Sequence, residues 1–129
     1  MIDSSALLAI LLGEPERPAM LRAILGDRRR MLGAVNRLET AIVLAGRRGP
    51  AALPVLDRLL EEAAVQTVAF TPEQAALAQS AWERYGKGRH PAALNLGDCC
   101  AYALAREFGE PLLYKGHDFE RTDIPAVTF

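Results

Sequence analysis

Cysteine is scarce in this chain. The only two, Cys99 and Cys100, are adjacent, and neighbouring cysteines rarely bridge each other. With no CxxC and no second pair, the sequence offers neither a disulfide framework nor a zinc knuckle. A reduced cytoplasm is the natural compartment. Long apolar runs are missing as well: none approaches the ~20 residues that cross a bilayer, so no integral membrane protein is expected. No basic segment precedes an apolar one at the start, and no secretory signal is expected either. An excess of one charge is also absent, because 15 Lys and Arg face 16 Asp and Glu, a formal net charge of -1. Such neutrality ordinarily argues against a nucleic-acid partner.

What is present changes that picture. Half of the 129 residues are apolar, far from a disordered composition and enough for one domain over residues 1–129 that buries roughly two thirds of its unfolded surface. The neutral total hides segregation. Basic residues are clumped at Arg28-Arg29-Arg30, at Arg47-Arg48, and at Lys87 with Arg89 and His90, whereas several acids stand alone among apolar neighbours.

Helical periodicity dominates, in segments rich in Ala and Leu. Helices are expected from Ser4 to Leu12, Arg17 to Leu25, Asn36 (as a cap) to Ala45, Pro50 to Ala64, Pro72 to Tyr85 behind a Thr71 cap, and Asn95 (as a cap) to Phe108. Between them lie short apolar stretches suited to buried strands: Met31 to Gly33, Val65 to Ala69, Leu112 to Tyr114 and Ala126 to Thr128. Met1-Ile2 is placed like a first strand. Apolar runs without alternation suit parallel strands covered on both faces, and their separation by helices implies right-handed crossovers. The expected fold class is α/β, a sandwich with a small central sheet.

Four carboxylates then stand out. Asp3 follows the first apolar pair and Asp118 follows Leu112-Leu113-Tyr114 after a short turn, so both belong at the carboxyl ends of strands, where open parallel sheets bind ligands. Glu39 is spaced with Val35, Ile42 and Val43, and Asp98 with Ala101 and Tyr102, which places both on inward faces. Each acid taken singly has an ordinary role: a cap for Asp3, a helix-dipole partner for Asp98, a turn residue for Asp118, an arginine pair for Glu39. Taken together they would form a pocket whose charges repel by about 4 kcal/mol per pair ~4 Å apart at an effective dielectric of ~20. A hard divalent cation makes such a cluster tolerable, and all-oxygen donors select Mg²⁺ or Mn²⁺ over zinc. Such ions support phosphodiester hydrolysis, and the basic clumps would then be contacts to a phosphate backbone.

The residues also carry a family resemblance over essentially the whole chain. Asp3-Ser4-Ser5-Ala6-Leu7-Leu8-Ala9-Ile10 is similar to the opening of a PIN domain. Gly86-Lys87-Gly88-Arg89-His90, with Ala93-Leu94-Asn95-Leu96-Gly97-Asp98-Cys99, resembles the VapC toxins of bacterial type II toxin–antitoxin systems. So does the tail from Leu112 to Phe119 with Thr122-Asp123-Ile124. The resemblance implies a PIN-like sandwich, a Mg²⁺-dependent endoribonuclease acting on RNA, a homodimer, and a VapB-like antitoxin that masks the acidic pocket. It also implies that Asp3, Glu39, Asp98 and Asp118 are the catalytic, metal-holding quartet, with Asp3 and Asp98 as the principal ligands and Mn²⁺ a plausible substitute for Mg²⁺. Two positions depart from the pattern: only Met1-Ile2 precede the first Asp, and His117 stands where Asn or Asp is commoner.

Competing readings find less support. Gly86-Lys87-Gly88 lacks the spacing of a phosphate-binding Walker loop. Two histidines without a CxxC make a poor zinc site. A phosphoacceptor receiver would need an acidic pair after its first strand and a lone acceptor Asp after its third, and neither is found. A non-catalytic antitoxin-binding or RNA-binding module of the same fold remains the alternative. Ser4 and Ser5 suit helix capping or orientation of Asp3 better than nucleophilic attack. Trp82 and Tyr85 suit core or dimer packing.

Overall fold

Three apolar pairs build the centre of the molecule: Met1-Ile2, Met31-Leu32 and Leu112-Leu113. In the computed structural model, which describes residues 1–129, strand β1 (Met31–Gly33) pairs in parallel with β2 (Gln66–Val68). Ile2 bridges Leu32 on one side and Leu113 on the other, and Leu112 bridges Ala126, all in parallel. Residues alternate between the faces of a strand. Met1, Met31 and Leu112 therefore enter one apolar cluster, while Ile2, Leu32 and Leu113 enter another. A sheet with both faces covered needs apolar residues on both, which is why these strands show no polar alternation.

One face is covered by α1 (Ser4–Leu11), α2 (Arg17–Gly26), α3 (Ala34–Arg48) and α4 (Leu53–Glu62), whose Leu7, Ile10, Met20, Ile24, Leu44, Leu56 and Leu60 are buried. The other is covered by α5 (Pro72–Tyr85) and α6 (Leu96–Phe108). Helix α6 is buried continuously from Gly97 to Ala105, as expected of a helix apolar on all sides. Three of the expected caps are found. Asp3 accepts from Ser5 N–H, Thr71 accepts from Gln74 N–H, and Asn95 forms a capping box with Asp98. Gly109, at φ +63°, closes α6 in the left-handed conformation that glycine adopts cheaply.

Three expectations need correction. The strand at Val65–Ala69 shortens to β2, where Gln66 and Thr67 are exposed; it is an edge strand, not a covered one. The fourth helix begins as a separate 3₁₀ turn at Pro50–Ala52. Helix α3 starts at Ala34 behind Gly33, so Asn36 lies inside its first turn and does not cap it, and the helix runs past Ala45 to Arg48. Its inward face is also different. Asn36, Thr40 and Leu44 are buried, whereas Leu38 and Ile42 are 61% and 63% exposed. The polar stripe goes inside because its groups are hydrogen-bonded there. Thr40 Oγ1 donates to the Asn36 carbonyl at 2.7 Å, and Asn36 Nδ2 donates to the Gly97 carbonyl at 3.0 Å, which removes most of the cost of burying them.

Candidate active site at the carboxyl edge of the sheet

Asp3 leaves the sheet exactly one residue after its bridging Ile2. Its backbone N–H donates to the Leu113 carbonyl at 2.9 Å, so strand pairing itself fixes the residue. Its Oδ2 accepts from Ser5 N (3.0 Å) and Ser5 Oγ (2.6 Å). Its Oδ1 is buried and has no partner at all. Burial pushes the carboxyl up to about 6; the Ser5 hydrogen bonds oppose this shift and the Glu39 charge adds to it.

Asp98 occupies the first turn of α6. Its Oδ2 accepts from Asn95 N at 3.0 Å, while its own N–H donates to Asn95 Oδ1 at 2.9 Å. Burial raises it to about 7 against that backbone hydrogen bond, with the charges of Asp3, Asp118 and Glu39 adding to the rise. A buried carboxyl resisting ionisation beside three other carboxylates is a frequent mark of a functional site.

Glu39 is half-buried on α3 and accepts a short hydrogen bond from Ser4 Oγ. Its carboxylate lies against the start of α6: a Cβ at Gly97 would stand 2.1 Å from Glu39 Oε2. Any side chain there would displace the Glu39 carboxylate from this position. Asp118 is exposed in the loop beyond Tyr114. That loop is tied to the site through Lys115 N–H, which donates to Ser5 Oγ at 2.9 Å.

The four acids expected from the sequence thus gather at one edge of the sheet, within reach of each other's fields. They do not close into a ready cage, because no three His, Cys, Asp or Glu side chains are arranged to hold a metal as they stand. The physical reason is visible: Glu39 is turned toward Ser4 and Gly97, Asp98 toward Asn95, and Asp118 toward solvent. The donor set still fits a hard cation. It offers an unpartnered buried oxygen on Asp3, carboxylate oxygens throughout, and mutual repulsion that a divalent charge would relieve. Asp3 and Asp98 are best placed to hold one, with Glu39 and Asp118 flanking. Zinc is poorly served, since His90 Nδ1 accepts from Ala92 N–H and His117 pairs with Glu120.

Two site features escaped the sequence reading. Asn36, taken for a cap, is a buried hub, and Gly97 is a seat for Glu39. A polar residue three positions before Glu39, and a glycine directly before Asp98, were the available signals.

The basic clumps lie in different parts of the molecule. Arg28-Arg29-Arg30 precede β1 and so lie at the amino edge of the sheet. Arg30 donates to the carbonyls of Asp27, Ala63 and Leu25, each at 2.8 Å, and Arg29 pairs with Glu110 at 2.7 Å. Arg47 and Arg48 close α3, about 12 Å along the axis beyond Glu39. Lys87 is different. It has no ion pair and lines a cavity of about 470 Å³ together with Asn95, Leu96, Phe70 and Trp82. A second hollow of about 310 Å³ joins it at Asn95 and Leu96 and is lined by Val35, Leu38, Glu39 and Ile42.

Comparison with known proteins accords with this geometry. The family model for the PIN domain matches residues 1–125. The VapC ribonuclease Mb0640 of Mycobacterium bovis is 46% identical over 127 residues, covering 98% of this chain and 97% of the relative. A ribonuclease VapC of Mycolicibacterium smegmatis is 47% identical over 127 residues, covering 98% of each chain. The crystal structure of Mycobacterium tuberculosis VapC20, described as a sarcin-ricin loop cleaving toxin, superposes with a TM-score of 0.76 at 21% identity, over 98% of this chain and 96% of that one. The expected α/β sandwich is therefore the observed fold, and the chain belongs to the PIN domain family, among the VapC ribonucleases.

Proposed function

We propose that this chain is a divalent-metal-dependent endoribonuclease, the toxin of a type II toxin–antitoxin pair, that hydrolyses RNA phosphodiester bonds at the carboxyl edge of the sheet. The observation that carries this reading is the pairing of a buried, unpartnered oxygen on Asp3 with an Asp98 whose carboxyl is driven up by burial and, further, by three neighbouring acids. When bound, Mg²⁺ or Mn²⁺ would neutralise charge on the reacting phosphodiester and make water a competent nucleophile. Asp3, fixed by Leu113 and Ser5, and Asp98, fixed by Asn95, would hold the cation. Glu39, braced by Ser4, and the loop residue Asp118 complete the negative field around it. Lys87 is placed to hold an RNA phosphate beside Asn95.

The same reading includes a cytoplasmic setting, a VapB-like antitoxin and a homodimer. No helix is long and apolar enough to cross a membrane. The dimer is assigned to the apolar surface that Leu38, Ile42 and Leu96 expose beside the two hollows, with Leu96 78% exposed, since a patch of this kind marks a protein interface. Replacing Ile42 and Leu96 by Asp should give a monomer by light scattering; a persisting dimer would move the interface elsewhere.

The deciding experiment incubates the purified chain with defined RNAs with Mg²⁺, with Mn²⁺, and with EDTA. Cleavage with either ion and none with EDTA is expected. Cleavage that survives EDTA would remove the metal from the mechanism, and RNA binding without cleavage under any condition would favour a non-catalytic module.

A further inference from the structure

The buried amide of Asn36 joins the three helices that position Asp3, Glu39 and Asp98. It lies in the first turn of α3, 1% exposed. Its Nδ2 donates to the Gly97 carbonyl on α6 at 3.0 Å and to Ser4 Oγ at the start of α1 at 3.3 Å. Ser4 Oγ in turn donates to Glu39 Oε1. The nitrogen assignment follows from chemistry, since an amide oxygen facing the Gly97 carbonyl would repel it. Both protons of one planar NH₂ are thus used, one on each neighbouring helix. Its Oδ1, by contrast, is buried with no partner. A buried acceptor left unpaired is costly, so the amide is kept here for its donors.

From this geometry we infer that Asn36 is a positioning residue. Its two donors fix the separation between Glu39, Asp3 and Asp98, so that a divalent cation enters the acidic edge without first reordering three helices. One proton holds the α6 turn containing Gly97 and Asp98 against α3. The other steadies the Ser4 hydroxyl, which orients the Glu39 carboxylate. Gly97 takes part from the other side, because its missing side chain is the space in which Glu39 lies. This inference rests on the metal-dependent reading above and adds a residue that touches neither metal nor RNA.

The test measures Mn²⁺ binding to the full chain by titration followed by electron paramagnetic resonance, with metal-free thermal melting in parallel. Asn36→Leu removes both donors at similar volume. It is expected to weaken Mn²⁺ binding at least tenfold in molecules that melt cooperatively, and to lower kcat for RNA cleavage more than it changes KM. Asn36→Leu in a Glu39→Gln background is expected to add much less, because the role passes partly through Glu39. Should Asn36→Leu fail to fold, Ser4→Ala breaks only the relay to Glu39 and should weaken Mn²⁺ binding about threefold. Wild-type-like Mn²⁺ affinity in the folded Asn36→Leu protein, or in Ser4→Ala when that variant stands in, would overturn the positioning role. So would full additivity in the Glu39→Gln background. Absence of Mn²⁺ binding to the wild type itself would instead sink the metal reading, and this inference with it.

Discussion

The two edges of the sheet carry opposite charges in opposite conditions. At the amino edge, Arg30 spends its guanidinium on three backbone carbonyls that close α2 and the segment after α4, and Arg29 is paired with Glu110. At the carboxyl edge, Asp3 keeps an oxygen with no partner and Asp98 has its carboxyl pushed up to about 7 by burial and like charges. One edge uses charge to finish the fold. The other stores charge that the fold does not use. In sequence the arginines are clumped and the four acids are scattered, yet both sets stood out as functional candidates; the state of satisfaction is what separates them.

The largest effect should come from Asp98→Asn, which removes a charge at constant volume. RNA cleavage should fall by more than the ~100-fold that loss of an outer-sphere partner costs. The metal-free variant should melt higher than wild type at pH 8, because Asp98 ionises in the folded state only against its surroundings. The sign follows from the raised values of about 6 for Asp3 and about 7 for Asp98. The folded chain keeps protons that the unfolded chain releases near the ordinary carboxylate range, so this contribution favours folding at low pH and is lost as pH rises through about 6 to 7. Melting of the metal-free wild type at pH 5 and pH 8 measures it, and a higher melting point at pH 8 would contradict the contrast between the edges.

Arg30→Ala breaks the comparison from the other side. Losing three charged bonds to backbone carbonyls should cost about 1–3 kcal/mol of stability, read as a lower denaturation midpoint, with cleavage per folded molecule unchanged. The smallest effect is expected for Lys87→Ala. RNA binding should weaken modestly and its salt slope should fall by about one, whereas Arg29→Ala should leave RNA affinity as it was. Equal losses for both would return the arginine clump to the RNA surface.

Much of this was legible in the sequence, for identifiable reasons. Asp3, Asp98 and Asp118 were placed correctly because strand ends and helix caps are local features: an apolar pair before Asp3, Asn95 three residues before Asp98, a short turn before Asp118. Glu39 does lie at the acidic edge, but the argument that put it there was wrong. Its spacing with Val35 and Ile42 marked an apolar stripe, and that stripe faces outward while Asn36 and Thr40 face in. Periodicity reports which residues share a face, not which face is covered. Asn36 looked like a cap because capping is what a lone Asn before a helix usually does; its partners, Ser4 and Gly97, are 32 and 61 residues away. The structural role of Arg30 was hidden for a similar reason, since the carbonyls that it closes are not visible as acceptors in a sequence.

Ser5 gives the molecule a built-in reporter. Its hydroxyl lies between the Asp3 carboxylate and the amide of Lys115, so any ligand that polarises Asp3 must alter what that hydroxyl can accept. The nuclear magnetic resonance frequency of a single backbone nitrogen, at Lys115, should therefore follow occupancy of the acidic edge without a label or a substrate.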